Sequence, residues 1–339
     1  MNQAPHHIIR GIRLNLRNSR SLLHQLPDRP LAAGTAAFFI CALALLAQTP
    51  ATRPTAPASA PADPSPQQQK RICFPDTWPR QVKAFQDDGI VIWTDADDLD
   101  GKGLLEHLQA VRKYLAETTL ADTERTDASS SLPVPSAPAR PVAIAIYQEQ
   151  KDYQALWQRV GEYYGGQFDQ VVTQGFSYRV FCATSFGDKD QFQRRLPVIC
   201  HEFTHVWLFQ RLGLANDANW LTEGIASAVQ LRFFPQAGDR QAYAQRVREG
   251  RYVPLKRLLE QQRAAPAQYW QAASLVEMIL KDRLAALPQL IAAQAQGKSA
   301  SAMLRETLDV DFLGLERRWT AYMMASAASQ PTSAPSPAR

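Results

Sequence analysis

Apolar residues are spaced differently in the two halves of the folded part of this chain. In the first half, Ile90–Thr94, Val142–Tyr147 and residues 175–184 are apolar runs of strand length, which predicts buried strands. Residues 104–117 and 150–160 instead repeat apolar side chains at helical spacing. The first half is therefore expected to be a small mixed sheet with helices between its strands.

From about residue 191 onward, the apolar positions follow a helical period throughout. The predicted helices cover residues 196–212, 222–234, 239–248, 269–283, 287–296 and 312–325. Pro197 suits the first turn of the first of these helices, and Gly213 suits its end. Residues 70–325 are thus expected to form one α+β domain, a small mixed sheet followed by a mostly helical half.

Residues 31–48 (LAAGTAAFFICALALLAQ) carry no charge and are just long enough for a helix that crosses a bilayer. Five arginines precede them, and positive charge on that side places the N-terminus in the cytoplasm. This predicts a cytoplasmic basic tail (residues 1–30), a transmembrane signal anchor (residues 31–48) and a single-pass inner-membrane protein whose folded domain lies outside the cytoplasm. The alternative is cleavage within residues 1–50, which would leave a periplasmic or secreted protein.

Two segments have a composition that cannot form a core. Residues 49–69 are rich in Pro and Ala and predict an extended linker, and residues 326–339 predict a disordered tail. The formal net charge of +5 is concentrated in residues 1–69, which hold six Lys or Arg against two Asp or Glu. The rest of the chain is almost neutral and matches a nucleic-acid backbone poorly, so we expect no nucleic-acid binding.

The strongest chemical signal is the segment His201-Glu202-Phe203-Thr204-His205. Two histidines four residues apart lie on one face of a helix, so both imidazoles can reach one tetrahedral metal ion. Glu202 is rotated by about 100° from His201 and flanks the metal, where it can take a proton from a water molecule. The competing interpretation is a pair of histidines that merely pack or face solvent.

A zinc site of this kind needs a third protein ligand, and Glu223 follows His205 by 18 residues. This gap lets the first helix end, a short loop turn, and a second antiparallel helix present a carboxylate near its start. Thr222 is the expected cap of the second helix, and Gly224 is expected to let that helix approach the first one closely. Taken alone, Glu223 would be an ordinary first-turn glutamate stabilised by the helix dipole.

These motifs resemble those of the gluzincins, the zinc peptidases in which H-E-x-x-H is followed by a Glu ligand. The segment WLTEGIA is similar to the WLNEGFA segment of aminopeptidase-N-like enzymes, and residues 90–322 resemble bacterial peptidase-MA-like domains. The resemblance implies a zincin-like fold and one zinc ion held by His201, His205 and Glu223. It also implies that Glu202 is the general base of peptide-bond hydrolysis.

The chain departs from these families at two points. Thermolysin-like enzymes carry an Asp four residues after the Glu ligand, whereas this chain has Ser227, so an acidic partner that supports the ligands is missing. No G-x-M-E-N motif precedes the zinc helix, and in aminopeptidase-N-like enzymes that motif holds the free amine of the substrate. The sequence therefore favours an endopeptidase that acts on peptide or protein substrates.

Gluzincins commonly stabilise the oxyanion with a Tyr or His from the helical half. Tyr269 is the first candidate because it begins a helix whose apolar face should pack on the site, and Tyr243 and Tyr252 are weaker candidates. The competing interpretation is that Tyr269 only packs. Either Val142–Tyr147 or residues 175–184 would be the edge strand that binds an extended peptide, and the second is preferred because it directly precedes the zinc helix.

Cys73, Cys182 and Cys200 would permit one disulfide and one free thiol in an oxidising compartment, and the sequence does not choose the pair. Cys200 adjoins His201 but sits about 100° around the helix from it. A buried or disulfide-bonded Cys200 is therefore expected rather than a catalytic one.

Two further functions are compatible with these motifs. A catalytically silent zincin-fold domain would bind peptides or envelope partners, but such a binder would not need the base Glu202. A structural zinc site usually has four protein ligands, often Cys, whereas three ligands beside a glutamate favour an open site.

Overall fold

A five-stranded mixed sheet forms the first half of the fold, as seen in a computed structural model that describes residues 63–120, 140–164 and 173–328. The strands are β1 (Lys83–Asp87), β2 (Ile90–Thr94), β3 (Val142–Tyr147), β4 (Gly175–Tyr178) and β5 (Phe181–Ser185). Their order in the sheet is β1-β2-β3-β5-β4. The three inner strands are parallel, and the edge strands β1 and β4 are antiparallel to their neighbours.

Both faces of the sheet are buried. Along β2, Ile90 and Ile92 pack with the helical half, whereas Val91 and Trp93 pack in a second core on the opposite face. The inner strands are buried at every position, which explains why they are continuous apolar runs in the sequence.

The sheet order decides between the two predicted edge strands. β3 pairs with a neighbour on each side, so the suggestion that Val142–Tyr147 is the edge strand is wrong. Residues 175–184 form the hairpin of β4 and β5, and β4 is the edge strand. The preferred interpretation of that segment is confirmed, although it contains two strands rather than one.

Three helices accompany the sheet: α1 (Pro66–Cys73), α2 (Gly101–Thr119) and α3 (Gln150–Tyr164). The last two are the predicted helices, each extended by a few residues. α1 begins within residues 49–69, the predicted linker. Its first turn is fixed by a capping box in which Ser65 Oγ accepts from the Gln68 backbone N–H and Gln68 Oε1 accepts from the Ser65 backbone N–H.

The remainder of the described chain is helical, which confirms the α+β class with a small sheet and a mostly helical second half. The helices are α4 (Lys189–Leu212), α5 (Trp220–Phe233), α6 (Arg240–Arg248), α7 (Leu255–Glu260), α8 (Tyr269–Asp282), α9 (Ala286–Ala295), α10 (Ala300–Met303) and α11 (Phe312–Ala328). Short turns, Pro235–Ala237, Pro266–Gln268 and Leu304–Leu308, complete the connections.

Helix α4 begins about two turns earlier than predicted. Asp188 caps it by accepting a hydrogen bond from the backbone N–H of Gln191. Pro197 therefore lies inside the helix, and its prediction as a first-turn residue is wrong. The end of the helix is as predicted, because Gly213 adopts a φ of 68° there.

Helix α5 is capped by Asn219 rather than by Thr222, so that prediction is wrong. The Asn219 side-chain oxygen accepts hydrogen bonds from the backbone N–H groups of Leu221 and Thr222, at 2.9 and 3.0 Å. The cap fixes the helix start three residues earlier than Glu223, which places that glutamate in the first turn.

Gly224 allows a close helix contact, but with α8 instead of α4. A Cβ atom at Gly224 would lie 2.9 Å from the carbonyl oxygen of Ala272 and 2.9 Å from Val276 Cγ2. Backbone oxygen cannot move away without moving α8 itself. Helix α5 can therefore pack this closely against α8 only because glycine, which has no side chain, occupies position 224.

The prediction of a single-pass inner-membrane protein is corrected, because no helix that the structure describes is long and apolar enough to cross a bilayer. The longest, α4, has 24 residues but includes charged side chains such as Arg194, Arg195 and Glu202. Residues 31–48, the predicted anchor, lie outside the described residues. The transmembrane anchor and the inner-membrane localisation are not retained.

Cys73, Cys182 and Cys200 are buried free thiols, so the disulfide that the sequence permits is not formed among them. Burial raises the pKa of Cys73 to about 12 and also raises the pKa values of Cys182 and Cys200. The expectation that Cys200 is buried or disulfide-bonded is confirmed as burial of a free thiol.

The close contact of α5 and α8 can be tested with Gly224→Ala. We expect this change to lower the free energy of unfolding by about 1–3 kcal/mol, because the added methyl group meets backbone at a distance that forces the helices apart. Urea denaturation followed by circular dichroism measures the effect. Gly314→Ala is the matched control, since the nearest atoms to a Cβ there belong to side chains, Asp311 Oδ1 at 3.0 Å and Val310 Cβ at 3.7 Å. Equal effects of the two changes would contradict this account.

Candidate metal centre

Three buried side chains on α4 and α5 bring their ligand atoms together. The Nε2 atoms of His201 and His205 are 3.1 Å apart. Glu223 Oε2 lies 3.2 Å from His201 Nε2 and 3.5 Å from His205 Nε2. Among the described residues, these three are the His, Cys, Asp or Glu side chains placed to share one metal ion.

The separations of the three atoms match a tetrahedral zinc site. Two ligands at about 2.0–2.1 Å from a zinc ion, at the tetrahedral angle, lie about 3.3–3.4 Å from each other. The observed values of 3.1, 3.2 and 3.5 Å scatter around this distance. Two imidazoles and one carboxylate are also the donor set of zinc sites that keep a fourth position open. The residues present therefore fit a zinc ion.

Burial and charge act against each other at the ligands. Burial lowers the pKa of His201, but the carboxylates of Glu223 and Glu202 outweigh it, so that the pKa is raised. Burial raises the pKa of Glu223, but His205 and His201 lower it well below the usual range of a carboxyl group. A carboxylate that is only 3% exposed needs a compensating positive charge.

The loop of residues 213–219 fixes how the two ligand helices are joined. Gly213 and Ala218 both have positive φ angles, of 68° and 58°. Asp217 Oδ1 accepts a hydrogen bond from the Asn219 backbone N–H at 3.2 Å, and Asn219 in turn caps α5. A short loop with this local bonding leaves α5 little freedom to shift along α4, so Glu223 is held opposite the two histidines.

Glu202, the predicted base, is half-buried and contacts the edge strand. Ser177 Oγ on β4 donates a hydrogen bond to Glu202 Oε2 at 2.6 Å. Asn216 Nδ2, in the loop between α4 and α5, donates to Ser177 Oγ at 3.1 Å. Gly175 permits this closeness, because a Cβ atom there would lie 2.8 Å from Val198 Cγ1 and 3.4 Å from Glu202 Cγ.

Of the three tyrosines suggested by the sequence, the structure brings Tyr269 to the metal centre. Its ring is stacked on the His201 ring with centroids 6.0 Å apart and an interplanar angle of 16°. Tyr243 instead stacks on Trp270 at 5.2 Å, and the Tyr252 hydroxyl donates to Glu316 Oε1 at 3.2 Å. The last two tyrosines thus belong to the helical packing.

Sequence reasoning missed Ser177 and Asn216. Ser177 precedes Glu202 by 25 residues, and Asn216 follows Ser177 by 39 residues. No helical or strand period relates these positions, and neither residue type is unusual on a strand or in a loop. Ser227, which stands where thermolysin-like enzymes carry an Asp, is buried. Neither His201 Nδ1 nor His205 Nδ1 has a hydrogen-bond partner among the described residues.

Comparisons with known proteins find distant neighbours among the solved structures. No family model and no curated protein matches the chain. Among solved structures, the chain is similar to the crystal structure of an aminopeptidase N family protein from Idiomarina loihiensis, with 15% identity and a TM-score of 0.27. The match covers 74% of this chain but 42% of that one, so this chain spans less than half of its length. A likeness at this level carries no argument about activity, and the chemistry rests on the residues described above.

The ligand set predicts how zinc binding responds to substitution. The full chain, stripped with a chelator and dialysed against zinc, is expected to retain one zinc ion. His205→Ala and Glu223→Gln are each expected to weaken binding by more than about 100-fold, because loss of even a hydrogen-bond partner of a ligand costs 10–100-fold. Competition with a fluorescent zinc chelator measures the affinity.

The control for zinc binding is Cys200→Ala, which changes a buried neighbour of His201 without removing a ligand and should keep the affinity. Thermal unfolding gives a second measurement, since zinc at 100 times its dissociation constant should stabilise the parent by about 2.7 kcal/mol. Parent-like zinc affinity in Glu223→Gln would rule out this ligand set.

Proposed function

We propose that this protein is a zinc-dependent peptidase of the gluzincin type, with a zincin-like fold. The observation that carries the proposal is the convergence of His201, His205 and Glu223 at tetrahedral spacing, with the carboxylate of Glu202 on the same helix and next to the ligands. A structural zinc site would be closed by a fourth protein ligand. Among the described residues, no fourth His, Cys, Asp or Glu joins the group.

The three metal ligands and Glu202 have different roles in the proposed hydrolysis of a peptide bond. Zinc held by the three ligands would supply Lewis acidity, which would lower the pKa of a water molecule so that a base can deprotonate it near neutral pH. Glu202 accepts the proton of that water on its carboxylate and later donates it to the leaving amine. Because Ser177 bonds to Oε2 of Glu202, the proton is expected on Oε1.

Tyr269 is the proposed donor to the oxyanion. Its half-buried ring already lies against the His201 ring, at the end of α8 that faces the metal centre. A phenol there can donate a hydrogen bond to negative charge that develops on the carbonyl oxygen of the substrate. Its removal should lower kcat more than it raises KM, because the contact forms in the transition state.

The edge strand β4 is the proposed binding surface for the substrate backbone. Among the described residues, β4 pairs with β5 on one side only, so its other side can hydrogen-bond to an extended peptide by strand addition. Gly175 and Ser177 place this strand beside Glu202. Binding through main-chain groups in the middle of a peptide favours endopeptidase action.

The proposal is tested by hydrolysis of casein and of a quenched fluorescent peptide library with the full chain and Glu202→Gln. Glu202→Gln is expected to lower kcat/KM by about 10²–10⁴-fold, since it removes the general base. Zinc content should be unchanged because Glu202 is not a ligand. Peptides with blocked and free N-termini distinguish the endopeptidase from an aminopeptidase.

Glu260→Gln is the matched control, because it neutralises an exposed carboxylate on α7 and should leave hydrolysis unchanged. Zinc in the parent and in Glu202→Gln, with hydrolysis in neither, would contradict the peptidase and favour a catalytically silent domain that binds peptides. Absence of zinc from the folded parent would contradict the peptidase.

A further inference from the structure

The half-buried carboxylate of Glu202 is held by a chain of two hydrogen bonds that reaches to the protein surface. Ser177 Oγ donates to Glu202 Oε2 at 2.6 Å, which lies in the range of about 2.5–2.7 Å for a hydroxyl bonded to a charged carboxylate. Asn216 Nδ2 donates to Ser177 Oγ at 3.1 Å, an ordinary distance for two neutral groups. The bond nearest the base is therefore the stronger one.

The donors in this chain are ordered in one direction. An amide N–H can only donate, so Asn216 occupies an acceptor site of the Ser177 hydroxyl. The hydroxyl proton of Ser177 is then directed at the carboxylate of Glu202. The hydrogen bond thus holds Oε2 of the base, and among the described residues no bond holds Oε1, which can receive a proton.

Each member of the chain comes from a different element that the fold fixes independently. Ser177 belongs to the edge strand β4, which is seated against α4 at Gly175. Asn216 belongs to the loop 213–219, which the Asp217–Asn219 hydrogen bond and the α5 cap hold in place. Glu202 lies on α4 between the two histidine ligands. Hydrogen bonds that join these elements restrict the side chain of the base in addition to its partial burial.

We propose that Ser177 and Asn216 form a positioning relay, in which Asn216 orients the Ser177 hydroxyl and Ser177 holds the Glu202 carboxylate in the orientation that general-base catalysis needs. The inference rests on the proposed peptidase function. Neither residue is a metal ligand, and the contact proposed between β4 and substrate is made by main-chain groups, which the Ser177 side chain does not supply. The relay therefore acts on the rate of the chemical step and leaves zinc binding and substrate binding unchanged.

Kinetics of casein and peptide hydrolysis with the zinc-loaded full chain test the relay. Ser177→Ala is expected to lower kcat by about tenfold, with KM and zinc content unchanged, because a side chain that loses its restraint spends less time in reactive geometry. Asn216→Ala should lower kcat by about threefold. Ser177→Thr keeps the hydroxyl on a strand and should restore most of the rate.

The double variant Ser177→Ala/Asn216→Ala distinguishes a relay from two separate contributions. If Asn216 acts through Ser177, the double variant should be no slower than Ser177→Ala alone. A double variant whose loss equals the product of the two single losses overturns the relay. An increase in KM at constant kcat overturns it too, because Ser177 would then be a substrate-binding residue.

Thermal unfolding of the metal-free protein tests the hydrogen bond without any hydrolysis. Ser177→Ala should lower the Tm by about 2 °C in the parent, the size expected when one surface-accessible hydrogen bond is lost. In the Glu202→Ala background the same change should lower the Tm by clearly less than in the parent, because only the bond from Asn216 is left to lose. Equal shifts in both backgrounds overturn the relay. If the parent hydrolyses no substrate, the peptidase proposal fails, and this thermal cycle still decides whether Ser177 holds Glu202.

Discussion

The fold buries the imidazoles of His201 and His205 and the carboxylate of Glu223 next to one another. The three atoms lie within 3.5 Å of one another, and each of them presents lone pairs when the histidines are neutral. Buried charge of this kind is costly unless a cation or a proton compensates it. Packing of α4 and α5 supplies the free energy that holds the atoms together, and a bound divalent cation would turn their repulsion into coordination. The packing of α4 and α5 thus sets the positions of the three ligand atoms, and these positions determine which metal ion the centre can bind.

Helix α5 links this centre to the rest of the molecule. On one side it carries Glu223 towards α4, and on the other Gly224 allows the backbone of α8 to approach. The same helix α8 begins at Tyr269, whose ring is stacked on His201. The edge strand reaches the centre from the opposite side, where Gly175 lets β4 lie against α4. Gly175 and Gly224 therefore allow the close contacts that bring Tyr269 and strand β4 near the metal ligands.

The sequence predicts what local spacing determines and misses what distant contacts determine. The inner strands were predictable because they are apolar throughout, and the histidine pair because four residues make about one helical turn. Helix α1, strand β1 and the first two turns of α4 are polar and were missed. The cap of α5 was misassigned because Asn219 and Thr222 are both good caps. Gly224 indicates a close helix contact but does not indicate which helix makes it.

Cys73 packs on the other face of the sheet from Cys182 and Cys200, which no spacing along the chain reveals. The hydrogen bonds from Asn216 through Ser177 to Glu202 depend on the sheet register and a loop, and they are invisible in the sequence for the same reason.

The central claim is that one zinc ion binds between His201, His205 and Glu223. Anomalous diffraction from crystals of the zinc-loaded protein, recorded on both sides of the zinc absorption edge, tests it most directly. The account predicts a single strong peak at about 2.0–2.2 Å from His201 Nε2, His205 Nε2 and Glu223 Oε2, with the fourth position free of protein atoms. A peak elsewhere, a fourth protein ligand, or no peak at these three residues would contradict it.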